Sequence, residues 1–276
     1  MNETMSETMN ENKPTKKKLN RWQAAAIHLS ISCAIACLTL VLIWVFFYPG
    51  FYFKLSGGLE LFFIIVSVDV VIGPLLTLVV YKAGKKWLWF DLSVIAVLQI
   101  VALSYGFHTM WIARPVYAVF AVDRFVVVQA TEIVSESQEK ARPEYQKLPL
   151  WGGPRFVAAQ RPESREDRQK ILFSAVAGGV DIQNYPEYYV PYEEKQKEAL
   201  EKSLPLDALV KKVPEARDEV DNFLKKYDGK EDDYRYLPIR GKGFNFETMV
   251  LNQEGAPVGI IPVDSEPDPS APKVKP

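Results

Sequence analysis

Cysteine and histidine are scarce in this chain. There are two of each among 276 residues, Cys33, Cys37, His28 and His108, and none of them lies beyond His108. The portion that follows therefore cannot build a His- or Cys-ligated zinc site, a Ser-His-Asp or Cys-His nucleophile pair, or a structural disulfide. Carboxylates remain, but Asp228, Glu231, Asp232 and Asp233 around Gly229 lack the ligand spacing of a calcium loop and read as a solvated turn. Gly241 and Gly243, in Arg240-Gly-Lys-Gly, are too isolated to cradle a phosphate. No cofactor, metal or catalytic residue is expected. A basic surface is missing as well. With 10 of the 33 Lys and Arg and 6 of the 34 Asp and Glu in the first 114 residues, the remainder carries 23 cations against 28 anions, a formal −5. Nucleic acid is a poor partner for such a domain.

Long apolar runs are what the chain has instead. Residues 23–48, 59–80 and 87–112 are each longer than the ~20 residues a helix needs to cross ~30 Å of hydrocarbon at 1.5 Å per residue. Lys13, Lys16, Lys17, Lys18 and Arg21 precede the first run, and Lys82, Lys85 and Lys86 fill the loop after the second. The loop at 49–58 holds only Lys54. Short cation-rich loops stay in the cytoplasm, so the N-terminus is expected inside and the chain after residue 114 outside, in the periplasm of a Gram-negative cell. Trp22, Trp44, Tyr48, Tyr52, Tyr81, Trp87, Trp89 and Trp111 stand at or near the span ends, where amphipathic rings are favoured. A cleaved signal peptide is the competing reading of the first run. That run is too long for one and continues past Cys37.

The expected architecture is three transmembrane α-helices, within residues 21–114, followed by a small α+β periplasmic domain over 115–263. Residues 1–20 and 264–276 are too polar to order themselves. Within the domain, 116–130 predicts two strands broken at Asp123-Arg124, and 155–160 a short strand. Residues 165–177 predict a helix capped by Ser164 and stopped by Gly178-Gly179. Residues 192–203 and 206–227 are amphipathic, the latter split at Pro214. Strands at 235–239 and 244–251 precede a turn at 252–256 and a closing strand over 257–263. Tyr185, Tyr188, Tyr189 and Tyr192, with Pro186 and Pro191, form an aromatic segment with two readings: a partner-contact surface, or a loop packed over the sheet.

Polar residues inside the runs demand an account. Asp69 falls ~15 Å into the second span, near the bilayer centre, where an unpaired carboxylate is costly. Gln99 in the third span reaches a similar depth and is placed to donate to it. His28 and Asp91 lie near the inner ends of the first and third spans and are paired as a second polar contact. Gly73-Pro74 predicts a kink beside the acid, with Thr77 helping to satisfy the opened backbone. Asp69 is then either a docking or proton-handling group, or one end of an interhelical hydrogen bond that holds the bundle together.

Several linked motifs carry a family resemblance: Asp69-Val-Val-Ile-Gly-Pro-Leu-Leu-Thr77; Phe90-Asp-Leu-Ser-Val-Ile-Ala-Val-Leu-Gln99 after Lys85-Lys86; Ala113-Arg-Pro-Val-Tyr-Ala-Val-Phe-Ala-Val-Asp-Arg-Phe125; and Arg21-Trp22 with Ile27-His28. Together they make the chain resemble the TfpX/TfpZ-type accessory proteins of type IV pilins, well over residues 20–130 and in general plan beyond, to the closing Gly259-Ile-Ile-Pro-Val263. The resemblance implies a non-enzymatic inner-membrane helper that assists presentation or assembly of its cognate major pilin, and leaves open any contact with the inner-membrane assembly platform. On that footing Asp69, Gly73, Pro74, Thr77 and Gln99 are candidates for docking the pilin helix. His28 and Asp91 are the candidate intramembrane contact, and Tyr185, Tyr188, Tyr189 and Tyr192 the candidate contact with the pilin head. The alternative is a membrane sensor with a periplasmic ligand-binding domain. It lacks any kinase, cyclase or receiver sequence on the inner side. A pilin-modifying glycosyltransferase fits less well still, for want of an acidic metal motif.

Overall fold

The computed structural model describes residues 19–243 and 245–266. Expectations for the first 18 residues, for Phe244 and for residues from 267 onward lie outside them. Three helices are long and apolar enough to cross a membrane: Arg21–Phe46, Gly58–Val80 and Leu88–Ile112. Asn20 starts the first by accepting from the Gln23 N–H, while Gln23 returns the bond to the Asn20 N–H, a reciprocal cap that satisfies two orphan donors.

The second helix packs against both of the others, and the first and third also meet near the C-terminal domain, where Phe47 lies against Phe107 and Trp111. There Ile43, Phe47, Tyr48, Phe62 and Met110 form a buried cluster. Phe47 packs edge-on against Trp111, and the Tyr48 hydroxyl donates to the Met110 carbonyl at 3.0 Å. Tyr48 is fully buried and Tyr52 packs on the domain core, so neither serves as the interfacial ring expected of it.

The domain is built on one mixed sheet. Its strands are β1 (Pro115–Ala121), β2 (Arg124–Gln129), β3 (Arg155–Ala159), β4 (Tyr189–Pro191), β5 (Leu204–Pro205), β6 (Tyr234–Arg240), β7 (Phe246–Asn252) and β8 (Pro257–Ile261), in the order β4-β3-β1-β2-β6-β7-β8, with β5 on β6. β1 follows the third helix almost without a linker. It turns back at Val122-Asp123 to pair with β2, Phe120 opposite Phe125, as the polar break at Asp123-Arg124 predicts. Ser164 caps Arg165–Val176 by accepting from the Glu166 and Asp167 N–H groups. Proline 214 divides the second amphipathic stretch into Leu206–Lys212 and Arg217–Tyr227. β6, β7 and β8 form the expected closing meander. The folded chain runs on past Val263: Ser265 is buried and Glu266 pairs with Arg124 at 3.1 Å.

Bundle and domain are joined by more than the Ile112-to-Pro115 junction. Residues 49–57, the loop between the first two spans, reach into the sheet. Leu55 is buried in the same cluster as Phe120, Phe125, Leu237, Ile239 and Met249. Its carbonyl accepts from Lys242 N–H at 2.9 Å, and Gln129 Nε2 donates to the Ser56 carbonyl at 2.7 Å. Gly241 permits this approach, since a Cβ there would stand 1.9 Å from the Leu55 oxygen. Burying one leucine side chain is worth ~1.5–3 kcal/mol. The loop is a component of the domain core.

Candidate functional site

The second helix holds the polar centre of the bundle, and its backbone explains why. It is α-helical over Gly58–Ser67, opens into a π-turn over Val68–Ile72 and resumes at Gly73. In α register the Gly73 N–H would donate to the Asp69 carbonyl; here it donates to Val68 instead. In the wider register the next amide able to reach Asp69 belongs to residue 74, a proline, which has none. The Asp69 carbonyl is thus left without a helical donor in apolar surroundings.

Gln99 supplies one from the third helix, its Nε2 donating to the Asp69 carbonyl at 3.2 Å. That bond fixes the amide, so Gln99 Oε1 is the acceptor for His28 Nε2 at 2.7 Å. A neutral His28 then carries its proton on Nε2 and accepts from the Thr77 hydroxyl at Nδ1, 2.5 Å away. Three helices are tied by one chain of bonds: Thr77 to His28 to Gln99 to the Asp69 carbonyl. Gly73 makes room for it, because a Cβ there would stand 2.1 Å from Gln99 Nε2 and 3.2 Å from His28 Nε2.

The Asp69 carboxyl itself stays outside this chain. It is buried, and its Oδ1 has no hydrogen-bond partner among the described residues. Beside it, away from the converging ends, a cleft of about 490 Å³ opens between the first and third helices. Its floor carries Asp69, Thr77 and Gln99, its walls Ile27, Ile31, Ile35 and Leu103.

Depth matching therefore brings Asp69 and Gln99 together, but through the backbone oxygen instead of the carboxylate. The expected His28–Asp91 pair does not form. His28 is taken by Thr77 and Gln99, and Asp91 forms an ion pair with Lys85 at 2.5 Å from the neighbouring turn. Ser32, one turn after His28 on the same face, lines the cleft too and was not singled out by sequence; the i, i+4 spacing is its signal.

The four tyrosines do not form one surface. Tyr189 sits in β4, buried, with its hydroxyl donating to the Gln183 carbonyl. Tyr192 is buried with its hydroxyl 2.6 Å from the Gly255 carbonyl. Burial pushes both phenols above their ordinary pKa, holding them as neutral donors. Of the four, only Tyr185 and Tyr188 keep partial exposure, their rings tilted against each other with centroids 6.3 Å apart. The physical reason is that both faces of the sheet are covered: Tyr189 enters the cluster with Tyr117 and Tyr145, and Tyr192 the one with Phe120 and Phe125 on the other side.

One titratable group of the domain escaped the sequence reading. Glu247 in β7 is buried, with Oε2 unpartnered among the described residues, and burial raises its pKa to about 7 against a smaller opposing pull from Lys54 of the inserted loop. Among the described residues no group of three His, Cys, Asp or Glu side chains is gathered as a metal site.

The structure is thus a membrane-length helix bundle tied through a buried polar chain, with a mixed-sheet domain locked onto one end. Sequence comparison gives it a family. Residues 16–57 match the model of the family described as fimbrial assembly protein FimB. The chain is 30% identical over 218 residues to the fimbrial assembly protein of serogroup I from Dichelobacter nodosus, covering 78% of this chain and 84% of that one. It is 30% identical over 184 residues to the serogroup E1 protein of that organism, covering 66% and 71%, and 34% identical over 119 residues to the serogroups C1 and C2 protein, covering 42% and 91%. The chain belongs to this fimbrial assembly protein family, a family of type IV pilus accessory factors. No solved structure matches it.

Proposed function

We propose that this protein is an inner-membrane assembly factor that receives the apolar helix of its cognate major pilin in the cleft between its first and third spans and offers the sheet domain to the pilin's head. The family supports a role in pilus biogenesis. Supporting the topology, Arg21, Lys82, Lys85 and Lys86 all belong to the end of the bundle remote from the sheet domain. By the positive-inside rule that end faces the cytoplasm, and the domain faces the periplasm.

The observation that carries the docking step is the Asp69 carboxyl: buried, unpartnered at Oδ1 among the described residues, at the floor of a cleft with apolar walls, where the polar side chains of His28, Thr77 and Gln99 are bonded to one another. A hydrogen-bonding group left unsatisfied in hydrocarbon costs several kcal/mol by rough estimate. A partner helix that brings a donor to this depth relieves the cost and is held in register by it. Gln99, His28 and Thr77 keep the cleft floor in shape through their own closed set of bonds. Asp69→Asn preserves size and bundle packing but replaces the acid. The variant is expected at the wild-type level in the membrane fraction with reduced surface piliation, counted by electron microscopy. Normal piliation removes the acid from the mechanism.

A further inference from the structure

Where the third span meets the domain lies a second cleft, of about 850 Å³, unrelated to the polar centre. Trp111, Ile112, Leu148 and Leu150 give it an apolar wall; Arg114, Thr131, Gln138, Gln146 and Lys147 give it a polar one. Arg114 is its unusual member. The side chain is buried, and its bonds go only to neutral oxygens: Nε and Nη2 to the Pro149 carbonyl at 3.2 and 2.9 Å, Nη1 to the Trp111 carbonyl at 2.8 Å. The guanidinium stacks on the Trp111 ring at 4.1 Å. No carboxylate among the described residues pairs with it, or with Lys147 on the rim. Of its five N–H groups, one on each Nη is left for a further acceptor.

A buried cation without a counter-ion is costly. The place fixes what kind of anion is at hand. Trp111 and Ile112 close the third span, Gly152 N–H donates to the carbonyl of Phe46 at the end of the first, and Gly153 abuts Pro49. This is the headgroup level of a bilayer that the three helices cross. Leu150 and Trp151, 53% and 65% exposed, project from the same loop, with Trp151 edge-on to Trp111.

We propose that this cleft binds an anionic phospholipid. Arg114 and Lys147 take the phosphate oxygens, and an acyl chain runs along Ile112, Leu148 and Leu150 beside the third span. The domain is thereby seated on the membrane surface by a bound lipid in addition to its covalent link. The inference rests on the membrane-spanning reading given above.

The full-length protein in detergent, titrated with phosphatidylglycerol or phosphatidylcholine and read by native mass spectrometry, is expected to retain the anionic lipid about tenfold more tightly, which corresponds to about 1.4 kcal/mol. Lys147→Gln, at an exposed position where folding is not at stake, is expected to remove most of that preference. Arg114→Lys, which keeps the charge but loses the planar fork, is expected to remove part of it. Equal retention of the two lipids, or an unchanged preference in Lys147→Gln, overturns the proposal. So does a photocrosslinker at Leu150 that captures pilin instead of lipid in cells. In vesicles of phosphatidylglycerol and phosphatidylcholine with brominated acyl chains, quenching of Trp44, Trp87 and Trp89 reports insertion separately. Insertion without headgroup preference sinks the lipid site alone; absence of insertion sinks the membrane reading beneath it.

Discussion

The helix bundle and the sheet domain solve opposite problems. In the domain nearly every strand contributes buried apolar side chains; of its buried polar groups Tyr189 and Tyr192 find carbonyl acceptors, whereas the Tyr117 and Tyr236 hydroxyls and Glu247 Oε2 have no partner among the described residues. In the bundle large apolar side chains such as Ile64, Val79 and Trp89 face outward, and the interior divides between the apolar cluster around Ile43, Phe62 and Met110 near the domain and a polar chain with an unsatisfied acid farther away. The domain is organised by burial of apolar surface. The bundle, whose outward faces are apolar, is tied by hydrogen bonds and by close approach at glycine, at Gly73 against Gln99 and at Gly106 against Ile65. Mutations in the two regions should therefore register in different measurements.

The largest effect is expected where the two regions meet. Leu55→Ala removes a fully buried side chain from the domain core although it lies in the loop between spans. A loss of ~2–5 kcal/mol is expected, read as a lowered melting temperature and faster trypsin cleavage of the domain. A domain unaffected by this change would break the claim that the loop belongs to its core.

Glu247 comes next and sharpens the contrast through pH. Its folded pKa of about 7 lies above the ordinary 4.5, so the native state binds a proton more tightly than the unfolded one. The stability it confers is complete below the ordinary value, falls as pH rises through this window and is lost above about 7, by on the order of 2 kcal/mol. Denaturation of the wild type at pH 5 and pH 8, compared with Glu247→Gln, tests this: the variant should lose most of the difference.

Gly73→Ala is expected to be milder. The new methyl meets the flexible tip of Gln99, which can swing aside, so the helices still associate while the bonds to His28 and the Asp69 carbonyl are given up. The expected loss is ~1–2 kcal/mol in detergent melts with the domain's trypsin resistance unchanged. Tyr192→Phe forfeits one bond to Gly255 and is expected to cost about 1 kcal/mol, whereas Tyr188→Phe, at a partly exposed ring, should be silent in the same melts.

The sequence made local features readable and long-range ones opaque. The hairpin at Asp123-Arg124, the cap at Ser164 and the break at Pro214 each depend on chemistry within a few residues, and each appears where composition predicts it. The two-residue β5 and three-residue β4 were not legible, being too short for alternation to register. Leu55 escaped for another reason: in a loop with Tyr52 and Phe53 it looks like interfacial decoration, and no periodicity connects it with Phe125. At the polar centre, depth along the helices brought Asp69 and Gln99 together, but only the π-turn decides that Gln99 meets the carbonyl. His28 and Asp91 both lie near span ends, which suggests a pair, but Asp91 meets Lys85 and His28 meets Thr77 and Gln99.

The inserted loop also bears on how the outer part of the molecule can be handled. A fragment starting at Pro115 would lack Leu55 and present an open socket lined by Phe120, Phe125, Leu237 and Met249, sticky toward any apolar surface. Grafting residues 49–57 back through a short linker should close the socket and make that fragment tractable for crystallisation or partner binding. The head of this protein is discontinuous in sequence, and its missing piece is carried by the helix bundle.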